Sequence, residues 1–137
     1  MPTFRPEVSQ KNQYWIPKNR TYELKYYCLQ YPSWLKAYSD LKKASSYLIS
    51  TEEDGQMCFK NPTMMDAIRL KAYSDKMDTI KNAAIETDEE LADYILESVT
   101  QNRSYTYMQT HYSIPCCQDV FYDLRRRFFW ILDKYRD

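Results

Sequence analysis

Residues 104–137 read SYTYMQTHYSIPCCQDVFYDLRRRFFWILDKYRD, and this stretch decides the fold. Ser104 is a suitable N-cap for a short helix over Tyr105–His111, because its hydroxyl can accept a hydrogen bond from an amide of the first turn. Pro115 ends that helix, since the α conformation is disfavoured for the residue before a proline. It also precedes a second helix at about Cys117–Lys134, where a missing amide is tolerated. This order of parts predicts a helix-turn-helix.

The second helix is predicted to be amphipathic. One face carries apolar residues at helical spacing, namely Phe121, Leu124, Phe128, Ile131 and Leu132. The other side carries the candidate DNA-binding residues, namely Gln118, Asp119, Tyr122, Arg125 and Arg126, with Phe129 beside them. Arginine pairs with phosphates or guanine edges, and glutamine pairs with adenine. We therefore expect this polar side to contact the major groove of double-stranded DNA.

The basic run Arg125–Arg127 also has a plainer interpretation. Three arginines on an amphipathic helix often form a solvated face, and Asp119 and Asp123 offset part of their charge. Asp123 is also spaced to pair with an arginine three or four residues later on the helix. A solvent-facing or protein-facing helix is therefore the alternative to DNA contact.

The composition favours an all-α protein. A chain of 137 residues is long enough for one domain, or for one domain with an appended N-terminal unit. Hydrophobic residues make up 44% of the chain, which supports a core and is unlike a disordered chain. A single glycine argues against phosphate loops and repeated tight β-turns. We predict a helical bundle with a C-terminal trihelical helix-turn-helix unit.

The charged residues are segregated along the chain, although the net charge is zero. Residues 1–43 carry 8 Lys or Arg against 3 Asp or Glu, residues 44–100 carry 5 against 12, and residues 101–137 carry 6 against 4. An acidic middle thus separates two basic ends. Any contact with nucleic acid is expected to come from those ends.

The chain is predicted to divide into three parts. Residues 1–17 form an extended N-terminal arm, in which residues 14–16 can dock on the body of the protein. Residues 18–60 form an aromatic-rich helical segment followed by a loop. Residues 61–137 contain a long helix and the C-terminal helix-turn-helix.

Four helices are expected ahead of residue 104, with the ranges 20–30, 33–43, 61–86 and 88–99. The third begins with Asn61-Pro62 as N-cap and first helical residue, and the fourth begins with a capping box of Thr87 and Glu90. The loop over residues 44–60 contains Asp54-Gly55, a pair typical of hairpin turns, with residues 47–49 and 57–59 as its arms. The apolar seam of the third helix suits packing within the domain, and pairing with a second copy in a homodimer is the alternative.

The sequence contains no recognisable catalytic or metal-binding pattern. Its one histidine, His111, has no partner motif for acid–base chemistry. Cys116 and Cys117 are adjacent, which is not the spacing of paired zinc ligands. No apolar run approaches the ~20 residues of a membrane span, and the N-terminus has no signal core. We expect a cytoplasmic protein that is not an enzyme, uses no cofactor or metal, does not contact a membrane, and keeps its cysteines reduced.

The region from about Asn61 to Tyr135 resembles the small phage and prophage transcription regulators of the RinA/ArpU type, whose C-terminal part is similar to the DNA-binding region of a sigma factor. The resemblance lies in a long helix, a second helix with the sequence DEELADYILESVT, and the stretch SYTYMQTHYSIPCCQDVFYDLRRRFF. Within that stretch, Ile114-Pro115 matches the turn, and Phe121-Tyr122 with Arg125-Arg126 matches the DNA-binding helix. The resemblance implies a DNA-binding role for Gln118, Asp119, Tyr122, Arg125 and Arg126.

Two functions from different classes are consistent with the sequence. The first is a phage-type DNA-binding protein, a transcription regulator that reads DNA with residues 117–134; a DNA binder associated with packaging would use the same unit. The second is a phage-encoded inhibitor of a host nuclease or RNA polymerase. Its acidic middle would occupy a nucleic-acid channel by presenting carboxylates in place of phosphates, from Asp66, Asp75, Asp78, Asp88, Glu89, Glu90, Asp93 and Glu97.

Overall fold

A computed structural model describes residues 12–50 and 64–136 of the chain. These residues form six α-helices and contain no strand, which confirms the predicted all-α class. The helices are α1 Lys18–Leu29, α2 Tyr31–Ser50, α3 Met64–Thr87, α4 Ala92–Gln101, α5 Tyr105–Tyr112 and α6 Gln118–Tyr135.

The chain folds into two compact units whose boundaries fall inside helices α2 and α3. The first unit contains the described residues up to 31 and from 79 onwards, and the second contains those between 32 and 78. This division differs from the predicted boundaries at residues 17 and 60. The reason is that α1 packs against α4 and α6, and so belongs with the C-terminal helices rather than with the residues that follow it.

The core of the first unit lies between α1, α4 and α6. Each helix turns small or apolar side chains inward at three- and four-residue spacing, so that one stripe per helix is removed from water. The fully buried side chains include Leu24 and Cys28 of α1, Ile95 and Val99 of α4, and Phe128 and Leu132 of α6. Ile80, Ala83 and Ala84 from the end of α3 are buried as well.

In the second unit, Trp34 of α2 and Met77 of α3 are buried. The ammonium group of Lys76 lies 5.3 Å from the centre of the Trp34 ring. Several large apolar side chains of this unit are exposed, namely Leu35, Met64, Met65 and Ile68.

The residues ahead of α1 pack on the first unit, as the sequence indicated for residues 14–16. The side chain of Ile16 is buried, and the ring of Tyr14 lies edge-on to Trp130 of α6, with 5.5 Å between centroids. Residues 1–11 of the predicted arm lie outside the described residues.

Helix α2 is longer than the sequence indicated, because it continues to Ser50 instead of ending at residue 43. The predicted loop from residue 44 and the predicted hairpin arm at residues 47–49 are therefore wrong. No proline or glycine interrupts residues 44–50, and alanine and leucine favour continued helix. The Asp54-Gly55 turn, the second arm at residues 57–59 and the Asn61-Pro62 cap lie outside the described residues.

The predicted capping box at the start of α4 is also wrong. Thr87 is the last residue of α3, and its hydroxyl donates to the Ala83 carbonyl over 2.7 Å. Asp88 instead caps the connecting turn, because its Oδ1 accepts from the amides of Glu90 and Leu91, each at 3.0 Å. Helix α4 consequently begins at Ala92 rather than at residue 88.

Across residues 12–50 and 64–136, no helix combines the length and the apolar character that crossing a membrane requires.

Candidate nucleic-acid interface

The first turn of the C-terminal three helices joins α4 to α5. Asn102 ends α4 in the left-handed conformation, with φ 55° and ψ 51°, and its amide donates to the Ser98 carbonyl. The amide of Arg103 donates to the same carbonyl over 2.9 Å, which satisfies the open end of the helix. Ser104 then caps α5, since its hydroxyl oxygen accepts from the Tyr107 amide at 3.1 Å. This confirms the N-cap that the sequence indicated.

The second turn joins α5 to α6 through residues 113–117. Ser113 adopts the left-handed conformation, with φ 50°, and the buried side chain of Ile114 follows it. The Cys116 amide donates to the Ile114 carbonyl at 2.9 Å, and the Tyr105 hydroxyl donates to the Cys116 carbonyl at 2.8 Å. The carbonyl groups of Ile114 and Cys116 thus both accept hydrogen bonds that stabilise the turn, and α6 begins directly after it.

A small apolar cluster holds α5 against α6. Its buried members are Met108 of α5, Ile114 of the turn and Phe121 of α6. Tyrosine rings surround this cluster, and the Tyr105 ring lies 5.5 Å from that of Phe121. The start of α6 therefore has a defined position relative to α5, which a surface for recognising another molecule needs.

Four of the five predicted DNA-binding residues lie on the accessible side of α6. Gln118 and Asp119 in its first turn are exposed. Tyr122 is half-buried, and its hydroxyl accepts from the Tyr105 amide at 3.4 Å. Arg126 is half-buried, and its Nη1 lies 4.0 Å from Oδ1 of Asp123. An ion pair of this length at the surface contributes little to stability, so the guanidinium can exchange it for another anion.

The fifth residue, Arg125, was expected to face DNA, and the structure contradicts this expectation. Its side chain is only 3% exposed. The physical reason is its register, because Phe121, Arg125, Phe128 and Leu132 are spaced four, three and four residues apart and form one buried stripe. Phe129, also expected beside the DNA-binding residues, is buried as well.

Arg125 connects α6 to the end of α4. Its Nη1 donates to the Ser98 hydroxyl oxygen at 2.9 Å and to the Arg103 carbonyl at 3.2 Å. The Ser98 hydroxyl in turn donates to the same Arg103 carbonyl at 2.9 Å. Burial lowers the pKa of Arg125 to about 10, and the nearby Tyr122 and Cys28 partly offset that effect.

Arg127 is exposed, although the sequence did not predict it as a DNA-binding residue. A helical wheel centred on Phe121, Phe128 and Leu132 would have identified it, because it places Arg125 inside the stripe and Arg127 outside. Val120, which is 45% exposed, also lies on the accessible side. Apolar side chains at such positions can contact thymine methyl groups.

Over residues 118–127, the accessible side of α6 is balanced in charge. Asp119 and Asp123 are exposed beside Arg126 and Arg127. With two carboxylates against two guanidinium groups, this surface does not attract polyanions through net charge alone. Any binding of DNA must therefore depend on the arrangement of donors and acceptors.

His111 lies on α5 beside Tyr107. Its Nδ1 is 3.1 Å from the Tyr107 carbonyl oxygen, and its ring stacks on Tyr107 with centroids 3.9 Å apart. The guanidinium of Arg103 lies 4.3 Å from the centre of the same tyrosine ring. In the part of the chain that the structure describes, no three His, Cys, Asp or Glu side chains are grouped so that they could hold a metal ion.

Comparison with known protein families, curated proteins and solved structures finds no significant match to this chain.

Proposed function

We propose that this chain is a phage-type DNA-binding protein, a transcription regulator of the RinA/ArpU type, and that α6 enters the major groove of double-stranded DNA. The observation that carries the proposal is the two-sided character of α6. Its apolar stripe is buried, while Gln118 and Asp119 are exposed directly after a short turn. Arg126, which is half-buried, and Arg127, which is exposed, follow about two turns later on the accessible side. The first residues of a recognition helix are the ones that contact base edges in helix-turn-helix proteins.

The residue types on this side support the same role. Gln118 can pair with adenine, and an arginine can pair with guanine or with a phosphate. Asp119 can accept a hydrogen bond from cytosine and disfavours closely placed phosphates. A balanced surface of this kind favours recognition of particular base edges over general attraction to the backbone.

The test is a titration of labelled duplexes from the gene's own genomic neighbourhood at two salt concentrations, with competitor DNA present. The wild type is compared with the Arg126→Gln/Arg127→Gln double variant. We expect salt-dependent binding by the wild type and at least about a tenfold weaker affinity for the variant. The plot of log K against log salt has a negative slope, and its magnitude should decrease by about 0.9 for each phosphate that the variant no longer neutralises. Arg125 is left unchanged, because it is buried and does not lie on the accessible side of α6.

Lys81→Gln is the matched control, because it removes one positive charge from an exposed position on α3. It should leave both affinity and salt slope at the wild-type values. A loss in the control that is about half the loss in the double variant on a logarithmic scale would mean that overall charge, and not α6, governs binding, because the control removes one positive charge and the double variant removes two. Absence of wild-type binding at the lower salt concentration would refute the proposed function.

A second candidate is a protein that inhibits a host nuclease or RNA polymerase by mimicking nucleic acid. The observation in its favour is the exposure of Glu89, Glu90 and Asp93 around the start of α4. Neutralising these three residues should abolish inhibition of such an enzyme while the Arg126→Gln/Arg127→Gln variant retains it. Under the DNA-binding proposal, the same neutralisation leaves DNA affinity intact.

A further inference from the structure

We propose that Arg125 is a positioning residue, which holds α6 in one orientation against the α4–α5 turn. That orientation determines which DNA sequence the residues on the accessible side of α6 prefer. This inference rests on the proposed function, because it concerns how the DNA-binding residues are presented. It assigns to Arg125 a role that is different from the direct DNA contact expected from the sequence.

The contacts of Arg125 join three parts of the C-terminal segment. From α6, its guanidinium reaches the Ser98 hydroxyl of α4 and the Arg103 carbonyl of the following turn. Both acceptors lie at the left-handed end of α4, where Ser98 also holds the Arg103 carbonyl. Both bonds come from the same nitrogen, Nη1, and their acceptors belong to α4 and to the turn after it, so together they hold residue 125 against the end of α4 and oppose rotation of α6.

The rotation of α6 determines what its accessible side presents. Arg125 lies three residues after Tyr122 and is followed directly by Arg126, and Gln118 lies one turn before Tyr122. A helix turns by about 100° per residue, so a change in rotation at Arg125 redirects all of these side chains together. Direct pairing with bases depends on that direction, whereas contacts to phosphates tolerate small changes.

The chemistry of the hydrogen bonds made by Arg125 indicates that this residue orients α6 more than it stabilises the fold. Both of these acceptors are neutral, and the bond from the Ser98 hydroxyl to the Arg103 carbonyl does not itself involve the arginine. Burying a guanidinium is unfavourable in itself, and apolar replacements of buried charged groups are often neutral or stabilising. We therefore expect the fold to tolerate methionine at position 125, which fills a similar space, while sequence preference is lost.

The experiment measures a discrimination ratio, defined as the Kd for competitor DNA divided by the Kd for the tightest genomic fragment. The variants are Arg125→Met, Arg125→Lys and Ser98→Ala in the full chain, each accompanied by a thermal melt. Arg125→Met should melt within about 4 °C of the wild type and lose at least about tenfold in the ratio. Arg125→Lys should be intermediate, because an ammonium group can donate to the same two acceptors but is held less rigidly than the planar guanidinium. Ser98→Ala should lower the ratio in the same direction.

Two further measurements separate positioning from other roles. The salt slope of Arg125→Met should equal that of the wild type, whereas a direct bond from Arg125 to a phosphate would make the slope of this variant smaller by about 0.9. Ile95→Val, a conservative core change in α4, should leave the ratio unchanged and so show that a small loss of packing is not sufficient.

The inference is overturned by an unchanged ratio in folded Arg125→Met, or by a reduced salt slope in that variant. If Arg125→Met does not fold, Ser98→Ala decides the matter, and an unchanged ratio in that variant also overturns the inference. Failure of the wild type to bind any DNA is a different result, because it refutes the proposed function itself.

Discussion

Three consecutive arginines in α6 lie in three different environments. Arg125 is buried and bonded to α4, Arg126 is half-buried beside Asp123, and Arg127 is exposed. The difference arises because neighbouring residues on a helix point about 100° apart. Arg125 therefore makes contacts inside the protein, whereas Arg126 and Arg127 can contact another molecule. Substitutions at the three positions should have different effects.

The burial of Cys28 is expected to make the stability of the protein depend on pH. This residue is fully buried in α1, and burial raises the pKa of its thiol above the ordinary value of 9.0. Below that value both the folded and the unfolded chain hold the proton, and the free energy of unfolding does not depend on this group. Above it the unfolded chain loses the proton while the folded chain keeps it, so stability falls as pH rises, by about 1.4 kcal/mol per pH unit.

The measurement is the free energy of unfolding of the wild type and of Cys28→Ala between pH 8 and pH 10. Burial also raises the pKa of Tyr27 and lowers that of Arg125, but these groups titrate in both proteins. The variant should be less stable throughout, because it loses packing, and its curve should be flatter above pH 9. Parallel curves would contradict the prediction.

At the scale of single elements, the turns on either side of α5 depend on backbone geometry that glycine usually supplies. Asn102 and Ser113 both have positive φ, and the chain has one glycine in total. Asparagine tolerates this conformation better than serine does, because its short polar side chain can bond locally. The strain is therefore expected to be greater at the turn before α6 than at the turn before α5.

Two serines at the ends of α5 should respond in opposite directions. Ser104→Ala removes the side chain that accepts from the Tyr107 amide, and it should lower the free energy of unfolding by about 1 kcal/mol. Ser113→Gly relieves the left-handed backbone, and it should raise the free energy of unfolding by up to about 1 kcal/mol. Denaturant titrations of both variants check this, and a destabilising Ser113→Gly would show that its side chain contributes more than the strain costs.

For the whole molecule, the main organising feature is that α1 completes the core of the C-terminal helices. Leu24 and Cys28 are fully buried, and α1 packs against both α4 and α6. Arg20 adds a salt bridge from α1 to Asp133 of α6, with 2.5 Å between nitrogen and oxygen. The C-terminal helices are consequently not independent of the N-terminal part of the chain.

A fragment of residues 61–137 should therefore fail to unfold cooperatively, because it leaves the apolar surface under α1 exposed to water. Truncating a single buried leucine commonly costs about 2–5 kcal/mol, which is a large part of the stability of a small domain. Adding a peptide of residues 12–31 should restore a cooperative transition, as followed by circular dichroism. A fragment that melts like the full chain without the peptide would show that α1 is dispensable.

The sequence by itself predicted the helices whose signals are local. Ser104 at a cap and Pro115 in a turn act through bonds and steric contacts within a few residues, so the order of α5, turn and α6 could be predicted directly. The same local reasoning failed at Thr87 and at residues 44–50. At both places, a helix continues through residues whose types had indicated a cap or a loop.

The hydrogen-bond partners of Arg125 and the place of α1 were decided by tertiary structure alone. The register of α6 puts residue 125 in the apolar stripe, but it does not say which groups would accept hydrogen bonds from a guanidinium there. The end of α4 supplies these groups through Ser98 and the Arg103 carbonyl, and both lie more than 20 residues from Arg125 in the chain. Such contacts depend on how distant helices pack, and no periodicity within α6 could specify them.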